Sequence, residues 1–314
     1  MPPTTRNMMT TSRVDHPINI YYRQKFLRRV MPLMIHDNWG MPATMPQHAG
    51  DTFKWRRYDS PLAQTVALQE GVDPTPVLQG KTDLTSQQRE YGAWMKASSW
   101  LDLTGTNQDA GQRTEWLADQ YRLTIDTLCR AVISGTASNT TCTNGDAAAT
   151  DFNATDIETL TETMLGVEAR YFMGNVAAGT GQGTSPILPA FVGISHQLLR
   201  NDFIAIAGFK YTNQYGSNPT LNPGELGSIT DVRISLTNNA YVSGSNYYLT
   251  VIAEEAYGNV KITNADELLI HLTSEQVGSP LKMYSTYGWK ATYACKILND
   301  NWLRALIGTR GSRA

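Results

Sequence analysis

The 314-residue chain is long enough to bury a full core, as one large domain or two modest ones. Only 17% of its residues are charged and the formal net charge is -2, which excludes a strongly basic nucleic-acid binder, and no run approaches the roughly 18 apolar residues of a membrane span. Three scattered cysteines, Cys129, Cys142 and Cys295, form neither a metal pattern nor a disulfide framework and suit a reducing intracellular compartment.

The opening MPPTTRNMMTTSR lacks the apolar core of a signal peptide. Residues 1–50 read as an arm rather than a small domain. A short helix is expected from Ile20 to Met31; Pro32, Pro42 and Pro46, with Gly40 and Gly50, then stop regular structure. The arm carries Tyr22, Phe26, Leu27 and Trp39 without a local core for them to enter, so these side chains are expected to reach a neighbouring subunit. Arg23, Lys25, Arg28 and Arg29 cluster on the same stretch, where they either lie solvated or meet a polyanion.

Thr52 to Tyr58 alternates apolar and basic residues, as a strand with two wettable faces does. The segment that follows runs out and back around Gly71, Pro74, Pro76 and Gly80, which predicts a long hairpin. It is too polar to fill a core, and a lone projecting hairpin is marginal in water. Trp55, Arg57, Val72 and Pro74 are therefore expected to contact another subunit. A helix is predicted over 106–134, with the stripe Leu117, Tyr121, Ile125, Leu128 and Val132. At the usual rise it is a rod of roughly 40 Å.

A polar loop leads to a second helix, opened by a capping box at Thr155 to Glu158 and apolar along Ile157, Leu160 and Met164. Next come a buried strand ILPAFVGI, a short helix SHQLLRNDF capped by Ser195, and strands ITDVRISLT and NYYLTVIAEEAYG. The end, TYGWKATYACKILNDNWLRALIG, reads as one long core strand. The composition shift near Gly135 and the return of core character around Tyr247 suggest a domain inserted at 136–255. Residues 98–135 and 256–314 then form the domain that flanks it, closed by the C-terminal strand.

The sequence offers little for catalysis. His16, His36, His48, His196 and His271 are scattered without ligand spacing. His36-Asp37 invites a base with its orienting partner, but also a plain polar residue at the end of the arm. The Gly179, Gly181, Gly183 run lacks the Lys of a phosphate-binding loop. Ser195-His196 lies outside a G-x-S-x-G elbow and suits a helix cap. Glu254 and Glu255, adjacent on a strand, would point to opposite faces. Neither a catalytic residue nor a cofactor or metal site is expected.

The order is thus arm, projecting hairpin, rod-like helix, inserted domain and closing strand. The residues that carry a family likeness are YYRQKFLRRVMPLMIHDNWG at 21–40, GDTFKWRRYDSPLAQTVALQEGVDP at 50–74, REYGAWMKASSWLDLT at 89–104, PGELGSITDVRI at 223–234 and YGWKATYACKILNDNWL at 287–303. In these the chain resembles the tailed-phage major capsid proteins of the Hong Kong 97-type fold, and most of all those of N-four-type podophages. The resemblance implies an α+β fold with an N-terminal arm at 1–50 and an extended loop with its return strand at 51–97. It implies a peripheral domain at 98–135 and 256–314 with spine helix 106–134, and an axial domain at 136–255. It also implies self-assembly through hexamers and pentamers into an icosahedral shell around double-stranded DNA, which Arg23, Lys25, Arg28 and Arg29 would face without sequence readout. Portal, scaffold and decoration proteins are the other implied partners, and the virion, assembled in the host cytoplasm, is the implied location. Two other classes compete. A cellular nanocompartment shell of the same fold needs an internal cargo site and no DNA; a β-rich hydrolase needs a convergent polar cluster.

Overall fold

The computed structural model describes residues 31–104, 109–134, 139–142, 149–175, 186, 188–215 and 221–311. Tyr22, Phe26, Leu27, the Arg23 to Arg29 cluster, the expected arm helix up to its last residue and the Gly179 to Gly183 run lie outside the described residues.

In chain order the elements are β1 (Met41–Met45), β2 (Thr52–Tyr58), β3 (Lys81–Gln87), β4 (Arg89–Ser98), α1 (Ser99–Thr104), α2 (Asp109–Ser134), β5 (Asn139–Thr141) and α3 (Ala154–Gly166). Then follow β6 (Phe191–His196), α4 (Arg200–Ala205), β7 (Lys210–Tyr211), β8 (Glu225–Ile229), β9 (Val232–Thr237), β10 (Val242–Ser243) and β11 (Asn246–Ile252). The last four strands are β12 (Tyr257–Ile262), β13 (Glu267–Leu272), β14 (Tyr284–Ile297) and β15 (Leu303–Thr309).

Three sheets result. β2 and β3 form a separate two-stranded ribbon. A five-stranded sheet has the order β1-β12-β14-β13, with β4 also paired to β14. An eight-stranded sheet runs β5-β15-β11-β6-β9-β8-β7, with β10 on β11. Helix α2 packs on the first of these larger sheets. Leu117 is buried against Trp289 and Ala291, and Tyr121 meets the Trp289 ring edge-on at 5.5 Å. Further along, Ile125, Cys129 and Ile133 enter a cluster with Tyr257 and Tyr293. The buried row of α2 therefore continues in steps of four to Cys129 and Ile133, and Leu128 and Val132 of the expected stripe are only half-buried. Helix α3 covers the eight-stranded sheet through Ile157, Leu160 and Met164, all buried as expected, against Phe191, Val232, Ile234 and Val251.

Several expected elements divide. The closing strand is two. β14 ends at Ile297; the Asn299 side chain accepts from the Asn301 amide and turns the chain, and β15 enters the other sheet between β5 and β11. Pairing of β15 with β11 thus runs across the division expected at residue 255, and 303–309 shares a sheet with strands from the segment expected to be inserted. ITDVRISLT bends between β8 and β9 at Thr230, whose φ of 49° is left-handed. Glu255, with φ 58°, does the same between β11 and β12, so the Glu254-Glu255 pair sits in a turn and not on a strand. Helix α3 is capped by Asn153, whose Oδ1 accepts from the Asp156 amide at 2.7 Å, two residues before the expected capping box. His196, and not Ser195, caps the following short turn, accepting from the Leu198 amide at 3.1 Å. Pro42 lies inside β1, which pairs in parallel with β12 at the sheet edge, where a missing N–H is tolerated.

Candidate interaction surface

The ribbon is built from the sequence alternation in β2. Phe53 and Trp55 are half-buried while Lys54 and Arg56 face water. Lys54 and Arg56 both bond Asp83 on β3, and the Arg56 hydrogen bond first, then Lys54, holds the Asp83 carboxyl down to about 2. At its base the ribbon rests on its own subunit. The Trp55 ring lies over Gly258, where an added Cβ would meet it at 2.8 Å, and Arg57 Nη1 donates to the Leu298 carbonyl at 3.3 Å. Trp55 and Arg57, expected to touch a neighbour, are thus held against their own β12 and the turn after β14.

Pairing stops at Tyr58 and Lys81, and every residue of 59–80 is exposed. Val72 and Pro74 lie here. So do Leu62, Val66, Leu68, Val77 and Leu78, with Leu62 and Leu78 at 86% and 93% exposure. The segment carries Asp59, Glu70 and Asp73 and no basic residue. These bare side chains were not singled out by periodicity because they follow no strand or helix repeat; their density beside Pro and Gly was the available signal. A second apolar patch forms where β4 ends. Trp100, Leu101 and Leu103 of α1 are exposed, and the Ser99 amide and hydroxyl both bond the Met283 carbonyl, which brings exposed Leu281 and Met283 alongside.

Trp39, the remaining described arm residue, does not reach outward. It is 8% exposed and meets Phe172 edge-on at 5.2 Å. The turn before it is fastened throughout. The Thr237 hydroxyl donates to the Leu33 carbonyl, and Ile35 is fully buried. His36 donates its amide and its Nδ1 to the two oxygens of Asp126, at 2.7 and 2.9 Å, and Asn239 Nδ2 donates to the same carboxylate. Asp37 accepts from Tyr293 Oη at 2.7 Å and Asn259 Nδ2 at 2.8 Å. Burial alone would raise the Asp126 pKa; the His36 and Asn239 hydrogen bonds outweigh it and hold the carboxyl below its ordinary value. His36 therefore pairs with Asp126 on α2 rather than with its neighbour Asp37, and is itself buried in the core. Among the described residues no group of three or more His, Cys, Asp or Glu is placed to hold a metal ion, and no described helix is long and apolar enough to cross a membrane.

One contact had no counterpart in the sequence reading. Cys129 of α2 and Cys295 of β14 bring their sulfurs to 3.7 Å, both as free thiols. Spacing could not reveal it, because the two residues meet only through helix-on-sheet packing.

No protein-family model and no curated protein matches the sequence. Solved structures match it along its whole length. The capsid of Ralstonia phage GP4 is 11% identical with a TM-score of 0.68, covering 98% of this chain and 99% of that one. The capsid structure of the cyanophage P-SCSP1u gives 11% and 0.66, with 99% of each chain covered. The head structure of Helicobacter pylori bacteriophage KHP40 gives 10% and 0.64, over 99% and 100%. The chain has the α+β fold of tailed-phage capsid proteins, the Hong Kong 97-type fold.

Proposed function

We propose that the chain is a major capsid protein that self-assembles, through hexamers and pentamers, into the icosahedral shell of a tailed double-stranded DNA phage. Its sequence segments further support placement with the major capsid proteins of N-four-type podophages. The observation that carries the function is the bare segment 59–80, an acidic loop bearing Leu62, Val66, Leu68, Val72, Val77 and Leu78 on a ribbon rooted in its own subunit. Such a loop has no interior of its own. Burying each of these side chains on another copy gains about 1.5–3 kcal/mol. Ordering the loop opposes this, so one contact is weak and many in a closed shell are strong.

In this reading residues 1–50 are the arm, rooted in the core from Leu33 onward, 51–97 the extended loop with its return strand, 98–135 with most of 256–314 the peripheral domain, and 136–255 the axial domain, with β15 completing the axial sheet. Arg23, Lys25, Arg28 and Arg29 contact packaged DNA through its phosphates. The protein has no enzymatic role, resides in the virion after assembly in the host cytoplasm, and works with portal, scaffold and decoration proteins. Electron microscopy of the purified recombinant protein tests the reading: closed shells or capsomers are expected. A chain that stays monomeric across concentration and salt would overturn it, and shells that require a protein cargo and exclude DNA would favour a nanocompartment.

A further inference from the structure

Cys129 projects from α2 onto β14, where Cys295 faces it. The sulfurs are 3.7 Å apart, which is van der Waals contact. A disulfide needs about 2.05 Å between sulfurs, with Cβ atoms about 3.5–4.5 Å apart. The gap to be closed is therefore under about 2 Å between sulfurs already in contact. The two sulfurs are not equivalent. Cys129 is fully buried and also donates to the His36 carbonyl at 3.1 Å, whereas Cys295 is partly open to solvent. The third cysteine, Cys142, is buried in the other core cluster with Phe152 and Leu306.

We infer that Cys129 and Cys295 are a modification site, oxidised by a low-molecular-weight disulfide to an intramolecular cystine that staples α2 to β14. The reaction balances as two thiol–disulfide exchanges. The Cys295 thiolate attacks the small disulfide, forms a mixed disulfide and expels one small thiolate. The Cys129 thiolate then attacks the Cys295 sulfur, forms the protein disulfide and expels the second thiolate. Two protein thiols lose their protons, and one small disulfide is reduced to two thiols. The second step is slow near neutral pH, because burial pushes the Cys129 thiol well above its ordinary pKa. The chain thus folds with both thiols reduced and gains the staple later, on long exposure to oxidising surroundings. The root of the arm survives the change: His36 loses the thiol donor at its carbonyl but keeps the Tyr257 hydroxyl.

The staple is a property of one subunit, so its test reads alike on free subunits and on shells, and its failure leaves the shell proposal standing. The full-length protein is incubated with oxidised glutathione at pH 7 and pH 8.5, quenched with acid, digested and analysed by mass spectrometry without reductant. Expected are a linked peptide pair containing Cys129 and Cys295, faster at the higher pH, with Cys142 still free and the chain migrating as a monomer without reductant. The melting temperature should rise by about 4 °C or more, as a long closed loop predicts, and fall back with dithiothreitol. Cys295→Ser should abolish the linked pair and the rise together. The inference is overturned if the wild type ends with three free thiols, with a stable glutathione adduct on Cys295 and no linked pair, or with chains joined through Cys142.

Discussion

Residues 33–39 and residues 59–80 look alike as text. Both carry apolar side chains near prolines, Pro32 just before the first and Pro61, Pro74 and Pro76 within the second, with no period to show a face. The first segment nevertheless buries Ile35, His36 and Trp39 and bonds Thr237, Asp126, Asn259 and Tyr293, residues from 90 to 256 positions away, while every residue of the second is exposed and its backbone bonds stay within the segment. The difference lies in what the rest of the chain provides. The turn at 33–39 finds polar partners already aimed at its backbone, so Ile35 and Trp39 can follow it inside without orphaning those amides and carbonyls. The loop at 59–80 bonds only within itself and keeps its apolar surface exposed, the surface that the proposed shell would cover with another copy.

Mutations should separate the two regions sharply. Trp39→Ala empties a packed site beside Phe172 and should cost the subunit about 3–5 kcal/mol in denaturant unfolding. A loss below 1 kcal/mol would mean that this turn belongs with the bare loop. Asp126→Ala strips His36 and Asn239 of their shared acceptor and should cost about 1–3 kcal/mol.

The same carboxylate makes the inner region sensitive to acid. Its folded pKa is depressed, so its contribution is fully present above the unfolded value of about 3.9 and is lost as pH falls through the lower folded value. Hydrogen exchange of the His36 amide should quicken in that acid window, and Asp126→Ala should remove the pH dependence. Gly258→Ala places a methyl group against the Trp55 ring and should prise the ribbon from its seat, costing about 1–3 kcal/mol and increasing protease cleavage near residue 52.

The smallest effect on the subunit is expected at the loop. Replacing Leu62, Leu68 and Leu78 by Ser should change unfolding free energy by no more than about 0.5 kcal/mol. Shell yield or shell melting temperature should nonetheless fall. Unchanged assembly would remove the loop from the interface, and a large loss of monomer stability would place it in the subunit's own core.

Much of this protein is local and could be read from the chain. The alternation of β2, the Pro- and Gly-marked excursion between β2 and β3, the rod of α2 and the Ile157, Leu160, Met164 face of α3 follow from periodicity and breaker residues, which act over a few positions. The break at Asn299 was legible in principle, since Asn299-Asp300-Asn301 is turn chemistry, but strong apolar runs on both sides masked it. Tertiary structure decided the rest. It chose which sheet each half of the closing segment joins, turned Trp39 and Trp55 inward, paired His36 with Asp126 and set Cys129 against Cys295. The Trp39, Trp55, His36 and Cys129 contacts each depend on a partner 90 to 203 positions away, and nothing in a local pattern states which distant surface will be there to complete a hydrogen bond or fill a void.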